Sequence, residues 1–229
     1  KKTNAVQVTL SQIPMREILH FLGWHGTPIE PDLMKTIRRF KKEALSQIEP
    51  RAVVRPFALL PNGELENTSF RPQGKDVPTM LATCQKAVLL AATLGASSER
   101  LLLREQTKDA ADALILDAVL SAAIEAVCDQ LEAQWRDRLA KNGLLLTDRF
   151  SPGYGDMPIA QSKEICEVLN TGRAIGLTVS QSGILMPRKS VTAIMGISNT
   201  AVQRRPKGCE GCSARTTCTL ARRENKTEE

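Results

Sequence analysis

From Asp109 to Ala140 the chain holds one helical period with neither proline nor glycine, and no other feature constrains the fold as much. Leu120, Ile124, Val127, Cys128, Leu131 and Trp135 recur at the three- and four-residue steps that put side chains on one face of a helix. This is expected to be the central long helix, continuous or broken once. Lys86 to Gly95 reads as a buried strand ending at a glycine, and Ser190 to Ile197 as another. Leu144 to Thr147, Leu177 to Val179 and Ile184 to Met186 are shorter candidates. Ala52 to Leu60, the turn Pro61-Asn62-Gly63 and Leu65 to Phe70 predict a hairpin. Helices are expected over Met15 to Leu22, from Pro31 to about Ile48, over Val77 to Cys84, from Ser97 and Ser98 as caps to about Thr107, and from Pro158, capped by Asp156, to near Asn170. Helices and strands mixed in this order, with no repeat and no linker before residue 200, predict a single α+β domain over 1–203 with a separate tail over 204–229.

Composition removes several function classes. Net charge is +6, but the segment from Arg204 to Glu229 supplies +3 of it, and aromatic residues are only 3% of the chain. Without a basic stripe interleaved with stacking rings, nucleic-acid binding is not expected. Two histidines, His20 and His25, leave little for a histidine metal site or a histidine-dependent triad. No apolar run approaches the roughly 20 residues that a membrane-spanning helix needs, so no membrane role is expected. Six cysteines without a secretory leader predict a reducing, cytoplasmic setting.

Three places carry candidate chemistry. The stretch Arg149-Phe-Ser-Pro-Gly-Tyr-Gly-Asp-Met-Pro158 holds the chain's one tyrosine between two glycines. Glycines admit a ligand close to the backbone and Arg149 offers a planar fork for a carboxylate, so the segment is either a ligand cradle or a structural crossover. Glu125 is the one charge in Ala-Ala-Ile-Glu-Ala-Val-Cys, and Asp117 and Ser121 share its strip of the helix. A carboxylate among small apolar groups either faces a cavity fit for an amine or pairs with an arginine. In the tail, Cys209, Cys212 and Cys218 form C-x2-C-x5-C, three soft ligands for an iron–sulfur cluster or zinc, or an unmetallated thiol tail. A fourth ligand could come from Cys84, Cys128 or Cys166, which otherwise read as small buried hydrophobes.

The segment from Arg149 to Pro158 resembles the R-x-x-P-G-Y signature of the activation domain of cobalamin-dependent methionine synthase. Ala92-Thr93-Leu94-Gly95, the long helix with Asp117 and Glu125, and Met186-Pro-x-x-Ser-Val-Thr192 are similar to that family's order of elements, over about Val77 to Ser198. The resemblance implies a twisted, curved antiparallel sheet with surrounding helices, binding S-adenosylmethionine in a shallow groove. It implies that Arg149 meets the ligand carboxylate, that Ser151, Pro152, Gly153 and Tyr154 line the groove, and that Glu125 meets the ligand amine. The family carries an acidic residue where Gly143 stands here and an aromatic where Met195 stands. The chain has no corrinoid-binding signature, so the resemblance implies a stand-alone activation subunit that supports reductive methylation of cob(II)alamin on a partner corrinoid protein. Its cysteine tail suggests where an electron donor delivers. The rivals are a non-enzymatic module that recognises a corrinoid protein and a metal-cluster electron-transfer protein.

Overall fold

In a computed structural model, which describes residues 5–24 and 28–202, the long helical stretch is unbroken and lies on a sheet built from distant parts of the chain. The elements are β1 (Ala5–Gln7), α1 (Met15–Phe21), α2 (Pro31–Gln47), β2 (Arg51–Ala58), α3 (Asp76–Leu81), β3 (Lys86–Thr93) and α4 (Ala96–Gln106), followed by α5 (Ala110–Ala140), β4 (Leu145–Leu146), α6 (Gln161–Leu169), α7 (Thr171–Ile175), β5 (Thr178–Val179), β6 (Leu185–Met186) and β7 (Ser190–Ser198). Five strands form one antiparallel sheet in the order β1-β2-β3-β7-β4, and β5 pairs with β6 separately. The sheet curls into a half-barrel with helices around it, the α+β class expected.

Strand β3 explains why the sheet is central. Its pairing with β7 runs from Lys86 opposite Ile197 to Thr93 opposite Ser190, and its other edge pairs with β2 along its whole length. Val88, Leu90 and Ala92 point into one core with Ala193 and Met195 of β7, Ile18 of α1, Phe40 of α2, Leu101 of α4 and the inner face of α5. Ala87, Leu89 and Ala91 point the other way, into a second core with Phe57, Leu65, Phe70, Leu81, Phe150 and Ile165. A strand covered on both faces has no polar side to show, which is why Ala-Val-Leu-Leu-Ala-Ala is continuous rather than alternating. Helix α5 contributes Ala118, Ala122 and Ala123 to the first core, and such small side chains let a helix settle close to a sheet.

Three expectations are corrected. The hairpin is shorter than expected: the Leu60 N–H donates to the Glu64 carbonyl and the Glu66 N–H to the Ala58 carbonyl, both at 2.9 Å, with Leu59 bridged to Leu65, while the length of β2 pairs with β1 and β3. Residues 65–70 instead close a tight turn, with the Leu65 N–H donating to the Phe70 carbonyl at 3.0 Å and Asn67 at φ +59°, which drops both Leu65 and Phe70 into the second core. Helix α4 is preceded by Gly95 and has no side-chain cap; the Ser98 hydroxyl donates back to the Gly95 carbonyl at 2.7 Å. Helix α6 begins at Gln161 without a side-chain cap, and Asp156 serves another segment. By contrast Asp109 caps α5, accepting from the Asp112 N–H at 2.8 Å. Among the described residues no helix is long and apolar enough to cross a membrane.

Gly196 of β7 pairs with Ala87 of β3 and accepts the Thr147 N–H at 2.9 Å, and there a Cβ would run into the Cys84 sulfur and sit 2.7 Å from Leu81 Cδ2. Overpacking of this kind costs about 1–3 kcal/mol. Gly196→Ala should therefore lower the unfolding free energy read from urea titration by that amount, and adding Cys84→Ala should recover much of the loss.

Candidate functional site

The outer border of α5 carries its polar residues on one stripe. Asp117, Ser121, Glu125, Asp129, Glu132 and Arg136 follow one another at steps of four or three, so they stack along one edge of the helix beside the core-facing alanines. Two chain segments meet this stripe. At its upper end Lys189, just before β7, places Nζ 2.8 Å from Asp117 Oδ1 and donates to Ser121 Oγ at 2.8 Å. At its lower end the segment after β4 brings Asp148 and Arg149.

The strand register decides which way Arg149 points. Phe150 exchanges both backbone hydrogen bonds with Ile194 of β7, at 2.9 and 2.8 Å, and its ring enters the second core. Successive side chains of extended backbone alternate in direction, so Arg149 projects to the opposite face, onto α5. There its Nη2 donates to Asp129 Oδ1 at 2.8 Å and to Glu125 Oε2 at 3.3 Å, while Nε lies 3.2 Å from Glu132 Oε2. Glu132 is shared: Arg136 Nη2 donates to its other oxygen at 2.7 Å and to Asp148 Oδ1 at 2.9 Å. Arg136 also donates to the carbonyls of Leu146 and Thr147, which stitches α5 to the end of β4.

Burial grades this network from inside to outside. The Glu132 side chain is 6% exposed and Arg149 16%, whereas Glu125 is 40% exposed. Arg149 Nη1 is buried and has no hydrogen-bond partner among the described residues, so one donor of the fork is unspent. Enclosure drives the Glu125 carboxyl above its ordinary range, against the opposing pull of Arg149. For Arg149 burial works against the charge, but the carboxylates of Asp129, Glu125 and Glu132 outweigh it and hold the guanidinium firmly ionised. The Cys128 thiol, sealed in the first core beside this cluster, is pushed up to about 12, chiefly by burial, and is inert as a nucleophile.

Beyond Arg149 the chain makes a compact turn. The Gly153 N–H donates to the Met157 carbonyl at 2.9 Å and the Tyr154 N–H to the Ser151 carbonyl at 3.2 Å, with Gly153 at φ +93°. Pro152 and Met157 are buried; Gly153 is exposed and the Tyr154 ring stands 70% exposed above it. Of the residues expected from sequence, Glu125 and Arg149 are thus brought into contact, and Ser151, Pro152, Gly153 and Tyr154 form the turn that follows. Gly143 ends the α5 terminus at φ +67° and Met195 is sealed in the first core, so neither supplies a polar or aromatic group at the surface. Cys209, Cys212 and Cys218 lie outside the described residues, and among the described residues no cluster of three or more metal-ligating side chains is placed to hold an ion. Asp129, Glu132, Arg136 and Asp148 were not singled out from sequence. The signal for the three on α5 was their spacing from Glu125, which continues its stripe.

Removing the Arg149 charge leaves a nearly buried Glu132 with Arg136 alone. Breaking a buried pair from one side costs about 3–5 kcal/mol, and the surviving partner should reduce this to about 2–3 kcal/mol. Arg149→Met is expected to show that loss in denaturant unfolding, and Arg149→Lys to restore little of it, because one ammonium cannot span three carboxylates.

No family model matches the chain, and no curated protein matches it. Among solved structures it is similar to a crystal structure of the MetH reactivation domain bound to AdoHcy, with a TM-score of 0.59 and 16% identity over 87% of this chain and 79% of that one. The chain therefore has the fold of that domain.

Proposed function

We propose that this chain binds S-adenosylmethionine at the Arg149 turn and serves as a stand-alone activation subunit, supporting reductive methylation of cob(II)alamin on a partner corrinoid methyltransferase. The observation that carries the reading is the meeting of Arg149 with Glu125 at the start of a glycine turn, in a fold shared with a domain crystallised with AdoHcy. The groups present suit an amino-acid zwitterion. Arg149 Nη1 is a buried, unspent donor for a carboxylate, and Glu125 is a half-exposed acceptor for an ammonium. The exposed Gly153 backbone and Tyr154 ring beside them offer a close approach and a flat apolar face for a nucleoside. In this reading the sulfonium supplies the methyl group and the partner's cobalt, once reduced by an electron donor, the electron pair. The chain holds the two centres together and needs no side chain as acid or base.

The tail supplies the electron route in this reading. Cys209, Cys212 and Cys218 hold an iron–sulfur cluster, or zinc in a purely structural variant. A fourth ligand would come from Cys84, Cys128 or Cys166; of these Cys84 is the one only partly buried. Cys128 and Cys166 are buried in the two cores.

A second reading has its own support. Arg149 already meets three carboxylates of its own chain, which suits a module that keeps the fold and recognises a corrinoid protein without the nucleoside. Calorimetric titration with S-adenosylmethionine and AdoHcy separates the two. Saturable binding, weakened about tenfold or more in Glu125→Gln, is expected from the leading reading. No heat with a folded chain would leave the recognition module standing. Anaerobic purification followed by iron, sulfide and zinc analysis and electron paramagnetic resonance tests the tail; zinc at one per chain with no cluster signal would remove the electron route.

A further inference from the structure

The turn that carries Tyr154 is tied at its far end to a segment some 80 residues earlier. Asp156 accepts the backbone N–H of Lys75 on Oδ2 at 2.6 Å and that of Asp76 on Oδ1 at 3.1 Å. The contact leaves no room for side chains. At Gly74, φ +84°, a Cβ would fall 2.7 Å from the Asp156 carbonyl oxygen, and at Gly155, φ +53°, it would strike the Asp76 carboxylate and lie 3.0 Å from the Phe150 ring. Five residues on, Gln161 grips the same segment, accepting the Gln73 N–H at 2.8 Å and donating to the Arg71 carbonyl at 2.9 Å. These two grips differ in kind. Gln161 is neutral and fully buried, a permanent anchor, whereas Asp156 is an exposed carboxylate whose hold depends on its charge.

We propose that Asp156 is a positioning residue: its carboxylate latches the outer end of the turn onto residues 74–76, holding the Gly153 backbone and the Tyr154 ring in the attitude that receives a ligand, and protonation opens the latch. That the turn receives a nucleoside rests on the reading under Proposed function; the latch itself rests on the contacts alone. The Lys75 and Asp76 amides hold the Asp156 carboxyl below the ordinary carboxylate range, with the Lys75 ammonium adding to them. The charged side chains that face it are those of Lys75 and Asp76. Because the folded value is depressed, the latch is complete above the range in which a free aspartate ionises and is lost as pH falls through the depressed value.

Tyr154 is the chain's single tyrosine, so fluorotyrosine incorporation puts one fluorine signal at the tip of this turn. In the intact chain that signal is expected to shift with pH in the acid range while circular dichroism shows the chain folded. Asp156→Ala should abolish the shift and hold the signal, even at neutral pH, near its acid-limit position, with AdoHcy affinity lowered about tenfold, the worth of one charge-assisted hydrogen bond. Asp76→Asn should still titrate. If Asp156→Ala fails to fold, Asp156→Asn, which accepts without a charge, should give a pH-independent signal. A titration that persists without the Asp156 carboxylate, or a neutral-pH signal unchanged by its removal, overturns the latch. A wild-type chain that shows the titration yet binds no AdoHcy sustains the latch and sinks the nucleoside reading instead.

Discussion

Close contact between α5 and the sheet is the constraint on which the other features depend. Ala118, Ala122 and Ala123 put the helix axis near β3 and β7, and that proximity brings the polar stripe at the helix border within reach of whatever leaves the sheet edge. Two segments do so: Lys189 enters β7 beside Asp117, and Arg149 leaves β4 beside Glu125, Asp129 and Glu132. Larger residues at the three alanine positions would push the helix outward and break both sets of ion pairs at once. Packing in the core therefore sets the geometry of the charged surface groups.

Much of this architecture was legible in the chain because its signals are local. The unbroken period from Asp109, the continuous apolar run of β3 and the glycine turn after Arg149 each state their structure within a short window. Glu125 was recognisable as an isolated charge among apolar residues, and Arg149 as the head of a proline- and glycine-rich loop. Partners across long separations were not. Pro61-Asn62-Gly63 does turn the chain and pair its immediate flanks, but the pairing stops near Glu66 because residues 65–70 close a turn of their own, and the eight-position ladder of β2 goes to β3, which no local pattern connects to it. Asp156 likewise sits where a cap for the next helix would stand. Its two amide partners come from a segment that no local pattern connects to it.

The charge count at the Arg149 cluster bears on what it accommodates. Among the described residues Glu125, Asp129 and Glu132 make their ion pairs with Arg149 and Arg136, three carboxylates to two guanidinium groups. Glu125, the more enclosed of the two outer carboxylates, absorbs part of that excess, since its carboxyl titrates above the ordinary range. A cationic guest relieves the imbalance and an anionic one worsens it. In the proposed reading, an amino-acid zwitterion that also carries a sulfonium suits this balance better than an acidic metabolite.

The turn at Gly153 is held from two sides of the sheet by unlike means. Before it, Arg149 is fixed on the α5 face by a network whose inner pair, Arg149 with Glu132, is buried and little screened by salt. After it, Asp156 and Gln161 fix the chain to residues 71–76, one through an exposed charge and the other through a buried amide. Phe150 threads between these anchors into the second core, so the backbone cannot slide from one to the other. A strand-like segment pinned at both ends leaves only the intervening residues free to adjust, and those are Ser151 to Gly155. Freedom is confined to the stretch in which the proposed ligand site lies, and the weaker, exposed anchor is the one that can vary it.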